Sequence, residues 1–258
     1  MDETVDLLVV GGGPAGSAAA ITAAGAGLSV LVCDKAPFPR DKTCGDGLTA
    51  DALRRLEALG LNPTDVKGFT PVYDVVVRSP SGRIVELPLP RAGLYAAVAP
   101  RATFDAALFD LAGHRGALLR PGEALESIDE VDGKVRAGLA GGSTVTASWV
   151  VAADGVYSTA RKLVAPAPET YLGEWHAFRQ YYTGVDDQRL WVLFERDLLP
   201  GYAWVFPLGE GRANVGFGLP RRPGVSVRPM AGIWRDLPSR PALQAVLGDA
   251  VAEGTHRA

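Results

Sequence analysis

The glycine triplet Gly11-x-Gly13-x-x-Gly16 narrows the folds open to this chain more than any other feature. It follows a continuous apolar stretch, Thr4 to Val10. It opens a helix of small residues, Pro14 to Gly27, whose Ala15, Ala18, Ala19, Ala20, Ala23 and Ala24 would lie close against a sheet. A second apolar strand, Leu28 to Cys33, runs into Asp34-Lys35. This order predicts a βαβ unit on a parallel sheet buried on both faces. The first glycine would permit the tight turn, the second would let backbone approach a pyrophosphate, and the third would let helix and strand pack closely. The helix start then offers free N–H groups and positive dipole to phosphates. Asp34 lies 23 residues beyond Gly11, where an acid would accept ribose hydroxyls. An acid there favours an unphosphorylated ribose, which leaves FAD or NAD and disfavours NADP.

The stretch from Leu7 to Cys33 is apolar enough to suggest a membrane helix, yet seven of its residues are Gly or Pro at turn positions and Asp34 closes it. Asp2 and Glu3 open the chain where a signal peptide would carry basic residues. With 26 Lys+Arg against 29 Asp+Glu in 258 residues, a nucleic-acid partner is not expected. Cys33, Cys44 and three scattered histidines predict neither a disulfide framework nor a metal site, and favour a reducing, cytoplasmic setting.

Beyond the βαβ unit, Asp51 to Leu59 reads as a helix with Leu53, Leu56 and Leu59 on one face. Val72 to Arg78 and Arg83 to Leu87 flank Ser79-Pro80-Ser81-Gly82 as a hairpin. Arg101 to Ala112 reads as a helix with Phe104, Leu108 and Leu111 as its stripe. Leu118 to Ala152 reads as a short strand and a meander turning at Asp132-Gly133 and Gly141-Gly142, ending in the strand Trp149 to Ala152. Residues 170–219 look like aromatic-rich strands and residues 226–252 look helical.

A bare Asp154-Gly155 after an apolar strand is ordinarily a turn. Yet the whole segment from Ala153 through Arg161 resembles the Asp-Gly motif of p-hydroxybenzoate hydroxylase-like flavoproteins, in which the aspartate faces the FAD pyrophosphate region. Arg101 resembles that family's flavin-contacting arginine at a helix start. Pro39-Arg40-Asp41-Lys42-Thr43-Cys44-Gly45-Asp46-Gly47-Leu48 and Pro200-Gly201-Tyr202-Ala203-Trp204-Val205-Phe206-Pro207 resemble segments of the geranylgeranyl reductase branch. The resemblance implies FAD, reduced by NAD(P)H or another donor, and reduction of isolated double bonds in a polyprenyl chain. It also implies peripheral membrane association. Reducing such an alkene requires hydride from the flavin and a proton from an acid, in a dry slot. Cys44, by resemblance near the flavin ring, and Asp46 are the candidate catalytic groups, whereas Cys33 reads as inert packing. Tyr202, Trp204 and Phe206 share one strand face and could line the slot, or simply pack the sheet. Pro207 is expected to end that strand.

The expected fold class is α/β: a Rossmann-like FAD-binding domain with an inserted antiparallel β-sheet substrate domain. Residues 1–70 and 98–165 are assigned to the FAD-binding domain, 71–97 and 166–225 to the substrate sheet, and 226–258 to a helical segment. The cofactor set is Gly11, Gly13, Pro14, Ala15, Gly16, Asp34, Lys35, Cys44, Gly45, Arg101, Asp154 and Gly155. The family's Gly-Asp-Ala-Ala segment is not matched: Gly248-Asp249-Ala250 comes too early and inside an apparent helix. The chain is therefore expected to lack the last cofactor segment. The competing readings are a flavin-dependent monooxygenase or halogenase on the same scaffold, and a non-catalytic flavin-fold protein.

Overall fold

A computed structural model of the chain describes residues 2–165, 175–221 and 229–258. In chain order its elements begin with β1 (Asp2–Val10), α1 (Pro14–Gly25), β2 (Val30–Asp34), β3 (Gly47–Thr49) and α2 (Ala50–Leu59). There follow β4 (Thr70–Pro71), β5 (Asp74–Arg78), β6 (Ile84–Pro88), β7 (Ala96–Val98) and α3 (Arg101–His114). Next come β8 (Leu118–Pro121), β9 (Leu125–Val131), β10 (Lys134–Leu139), β11 (Thr144–Ala152) and α4 (Thr159–Val164). The last are β12 (Trp175–Thr183), β13 (Leu190–Leu193), β14 (Tyr202–Gly209), β15 (Arg212–Pro220), α5 (Pro229–Asp236), α6 (Pro241–Leu247) and β16 (Val251–Arg257). The chain divides into two compact units.

The first unit comprises Met1–Asp41, Ala58–Leu61 and Ala102–Leu172. Its six-stranded sheet has the order β8-β2-β1-β11-β10-β9. β1 runs parallel to β2 and, over its whole length, to β11, from Asp2 opposite Thr144 to Val10 opposite Ala152. The apolar runs read as buried strands are buried: Leu8, Val9, Leu31, Val32 and Cys33 are all inaccessible. A strand buried on both faces has to be apolar throughout, which is why these segments show no alternation. Trp149 to Ala152 is not a separate strand. β11 starts at Thr144, closing the meander against β10 through Ala147 on one edge while running beside β1 along its whole length on the other.

The second unit comprises Lys42–Glu57, Asn62–Arg101 and Gly173–Ala258. It holds a seven-stranded sheet, β16-β12-β15-β14-β13-β5-β6, and a small sheet β3-β7-β4. The hairpin β5–β6 forms as expected, with Arg78 opposite Ile84. The core of this unit gathers Phe178, Trp191, Leu193, Val205, Val215 and Phe217 from the large sheet with Met230, Trp234, Leu243 and Leu247 of α5 and α6.

Pro207 does not end its strand: β14 runs on to Gly209, and the ladder slips by a bulge between Pro207 and Gly209 instead. A bulge is one of the places where a strand tolerates the missing proline N–H. The helical reading of 226–252 also runs too far. α6 stops at Leu247 because Gly248 turns out of the helix at φ +56°, and β16 follows as an edge strand on β12. Residues 166–174 and 222–228, assigned above to the substrate sheet and its helical continuation, lie outside the described residues.

Candidate active site

In the first unit the glycine turn is built by close approach. Gly11 sits at φ +101°, and a Cβ there would come within 2.5 Å of the Ala153 carbonyl oxygen. A Cβ on Gly16 would land on the Gly11 carbonyl oxygen itself. Gly13 differs: only an Arg40 guanidinium nitrogen lies near its Cβ position, at 3.4 Å, and it is half-exposed together with Pro14. No side chain caps the start of α1. Its free N–H groups and positive dipole end therefore face the same opening.

Asp34, nearly buried at the end of β2, accepts the Gly12 N–H at 2.8 Å through Oδ2 and the Ala36 N–H at 2.9 Å through Oδ1. A carboxylate offers about four acceptor positions. With the Arg40 guanidinium also on Oδ2, capacity remains on Oδ1 for a ribose hydroxyl. Arg40 is held by the fully buried Asp105 at 2.9 Å and stacks over Phe38, whose ring lies flat on Phe109. Neither Arg40 nor Asp105 was singled out in the sequence. The signal was available, since an aspartate inside the apolar stripe of α3 needs a cation. An open glycine, an uncapped helix start and a ribose-ready carboxylate fit the nucleotide half of FAD.

Asp154 does other work with its side chain. Its carboxylate accepts the Ser158 hydroxyl at 2.5 Å and the Thr159 and Ala160 N–H groups at 2.6 and 3.1 Å, so it caps α4. Its backbone is what presses on Gly11, while Gly155 is exposed at φ +81°. Lys35 is exposed beyond β2. Burial, aided by Asp34, pushes the Cys33 thiol up to about 12, which keeps it an unreactive thiol.

The remaining expected residues lie in the second unit. Asp46, in the loop Cys44-Gly45-Asp46-Gly47, is 2% exposed and held at φ +64°. Its Oδ2 accepts two hydrogen bonds, from the Tyr181 hydroxyl at 2.9 Å and from Asn214 Nδ2 at 2.8 Å. Its Oδ1, equally buried, has no hydrogen-bond partner among the described residues. Asn214 is the hub: Nδ2 also donates to the Cys44 carbonyl at 2.8 Å, and Oδ1 accepts the Trp204 indole N–H at 3.0 Å. Burial pushes the Asp46 carboxyl above its ordinary value. The bonds from Asn214 and Tyr181, the charge of Arg179 and the Arg101 backbone N–H pull the other way without reversing it. A carboxyl raised in this way can hold a proton, and Oδ1 is its oxygen without a hydrogen-bond partner among the described residues.

Beside this cage runs an aromatic face. Across β12, β15 and β14, Tyr181, Asn214 and Phe206 form one row, Arg179, Gly216 and Trp204 the next, and Ala177, Gly218 and Tyr202 a third. Trp204 is buried with its indole lying over Gly216. Tyr202, half-buried, lies 6.1 Å from both Trp175 and Trp204 and 5.9 Å from Phe194. In the row at Gly218, which has no side chain in its middle, the Trp175 ring comes within 3.5 Å of the place a Cβ would take. Phe206 packs on the Gly45-Gly47 loop, within 3.2 Å of the place a Cβ on Gly45 would take. Cys44 is half-buried, and Arg101 is half-buried at the first residue of α3. Thus Tyr202, Trp204, Phe206, Cys44, Gly45 and Asp46 are brought together, while the glycine triplet, Asp34, Asp154 and Gly155 gather in the other unit.

Residues 4–179 match the family described as FAD binding domain. The chain is 35% identical over 257 residues to the menaquinone reductase of Mycolicibacterium smegmatis, covering 92% of this chain and 61% of that protein. It is 35% identical over 223 residues to digeranylgeranylglycerophospholipid reductase 2 of Methanopyrus kandleri, covering 83% of this chain and 54% of that one. The chain thus spans little more than half the length of these relatives. The crystal structure of a geranylgeranyl bacteriochlorophyll reductase-like protein from Thermoplasma acidophilum superposes with a TM-score of 0.80 at 27% identity, covering 99% of this chain and 66% of that one.

Proposed function

This chain belongs to the FAD binding domain family, and on that premise we propose that the protein it represents is an FAD-dependent reductase of double bonds in a polyprenyl chain. The observation that carries the reading is Asp46, a buried carboxyl raised above its ordinary value whose Oδ1 has no hydrogen-bond partner among the described residues, set in the strand network that also builds the aromatic face. Names borne by its relatives, menaquinone reductase and digeranylgeranylglycerophospholipid reductase, support a substrate with a polyprenyl tail.

Bound FAD in its reduced form would supply hydride to one alkene carbon. Gly13 and the start of α1 bind the pyrophosphate, and Asp34 the ribose. Tyr202, Trp204 and Phe206 seat the apolar tail and exclude water from it. Asp46 delivers the proton from Oδ1 to the second alkene carbon, and Asn214 and Tyr181 hold its carboxyl in place through Oδ2. Cys44, on the same loop, supports the reductive half of catalysis. NAD(P)H or another donor would supply the electrons to bound FAD, and a polyprenyl substrate would bring the protein to a membrane surface. Among the described residues no helix is long and apolar enough to cross a membrane.

The test uses the complete gene product loaded with FAD, reduced by dithionite under nitrogen and given menaquinone with an unsaturated tail. Mass spectrometry should find tails heavier by two hydrogens per double bond. Unchanged tails under nitrogen, with an added oxygen or halogen in air, would replace this reading with the oxygenase or halogenase one.

A further inference from the structure

An acid buried as deeply as Asp46 can give its proton once and must then be recharged without direct access to water. Of the side chains hydrogen-bonded to it among the described residues, the Asn214 amide does not release a proton, whereas the Tyr181 hydroxyl can. Tyr181 is half-buried, so it has one end on the carboxyl and part of its surface open. Its ring also carries two guanidinium groups, Arg179 at 4.4 Å and Arg212 at 5.6 Å from the centroid. Arg179 is buried and reaches the Lys42 carbonyl, and Arg212 is clamped at 2.8 Å by Glu253 on β16. Nothing in the packing of an ordinary sheet tyrosine calls for two fixed cations. They would stabilise negative charge on the phenol oxygen.

We infer that Tyr181 is the relay hydroxyl that returns a proton to Asp46 between turnovers, an assignment that rests on the reductase reading above. When Oδ1 gives its proton to the alkene carbon, Asp46 becomes a carboxylate. The Tyr181 O–H bond then breaks, its proton passes to Oδ2 across the existing 2.9 Å hydrogen bond, and the phenolate takes a proton from water. A half-turn of the carboxyl about Cβ–Cγ, a broad twofold torsion, restores the proton to the Oδ1 position. No oxidant or reductant enters these steps.

The experiment is a rapid-quench time course with the FAD-loaded complete gene product, excess dithionite, excess menaquinone and no oxygen, tail saturation being read by mass spectrometry. Tyr181→Phe removes the proton and keeps the ring. It should show a burst of one reduced bond per protein, followed by a phase slower than that burst by about tenfold or more, a separation the wild type does not show. Added formate, a small proton carrier, should speed the slow phase and leave the burst alone. A merely structural role would slow burst and later phase alike, and that result overturns the relay, as does an unchanged time course. If the wild-type protein saturates no tail, the reductase reading itself has failed and the relay falls with it.

Discussion

Asn214 joins three groups that sequence distance keeps far apart, and replacing it tests whether the acid loop is held as described. In Asn214→Ala the buried Trp204 indole N–H and the Cys44 carbonyl each lose their partner, and Asp46 Oδ2 keeps only Tyr181. A buried polar group left unsatisfied costs about 1–3 kcal/mol, so two orphans and one half-lost partnership give a loss of about 3–5 kcal/mol. Urea unfolding followed by tryptophan fluorescence is the fitting assay. Four of the five tryptophans, at 175, 191, 204 and 234, belong to the second unit, so the signal reports on that unit. The midpoint should fall with the slope unchanged. A loss below about 1 kcal/mol would mean that the three groups find other partners, and that Asn214 does not organise the loop.

Asp46→Asn should change how the stability of this unit depends on pH. Burial raises the folded carboxyl, so the folded state keeps its proton where the unfolded chain has lost it. Its contribution is therefore full below the unfolded value of about 3.9 and is lost as pH rises through the raised folded value. Asn cannot titrate, so the stability of wild type relative to the variant should decline from about pH 4 upward; a difference independent of pH would contradict the burial argument. In the nucleotide half, Gly13→Ala keeps an ordinary φ of −74° and meets only the end of Arg40. It should fold within about 0.5 kcal/mol of wild type. It should nonetheless weaken FAD binding at least about tenfold by equilibrium fluorescence. Gly16→Ala, whose methyl would strike the Gly11 carbonyl, should instead lose about 2 kcal/mol or more of stability. Equal effects from the two would refute the division of labour within the triplet.

What was legible in the sequence was local. The apolar runs of β1 and β2, the glycine turn and Asp34 lie within one βαβ unit, and each carries its reason in its neighbours. The same holds for the hairpin β5–β6, whose turn residues declare it. Asn214 and Tyr181 were not legible as site residues, because their partner Asp46 stands 168 and 135 residues away and only strand register unites them. An asparagine within the apolar run of β15 was the available sign: a buried amide there requires partners. β16 escaped for a related reason. Val251–Arg257 has little apolar patterning and is mostly exposed; it is a strand because β12 offers an edge and Arg212 a partner for Glu253. The role of the Asp154 carboxylate was likewise hidden, since a motif places a residue near a site without saying whether its side chain or its backbone serves it.

Asp46 as the proton source is the centre of the proposed reaction, and a single rate decides it. In FAD-loaded, pre-reduced complete gene product under nitrogen, the first tail bond of menaquinone saturated by Asp46→Asn is timed against wild type by quenched mass spectrometry. Loss of the general acid predicts a fall of about 10²–10⁴ with FAD still bound. A first-bond rate equal to wild type in a variant that retains its flavin would show that the proton comes from another group, and the reading of this buried carboxyl would be wrong.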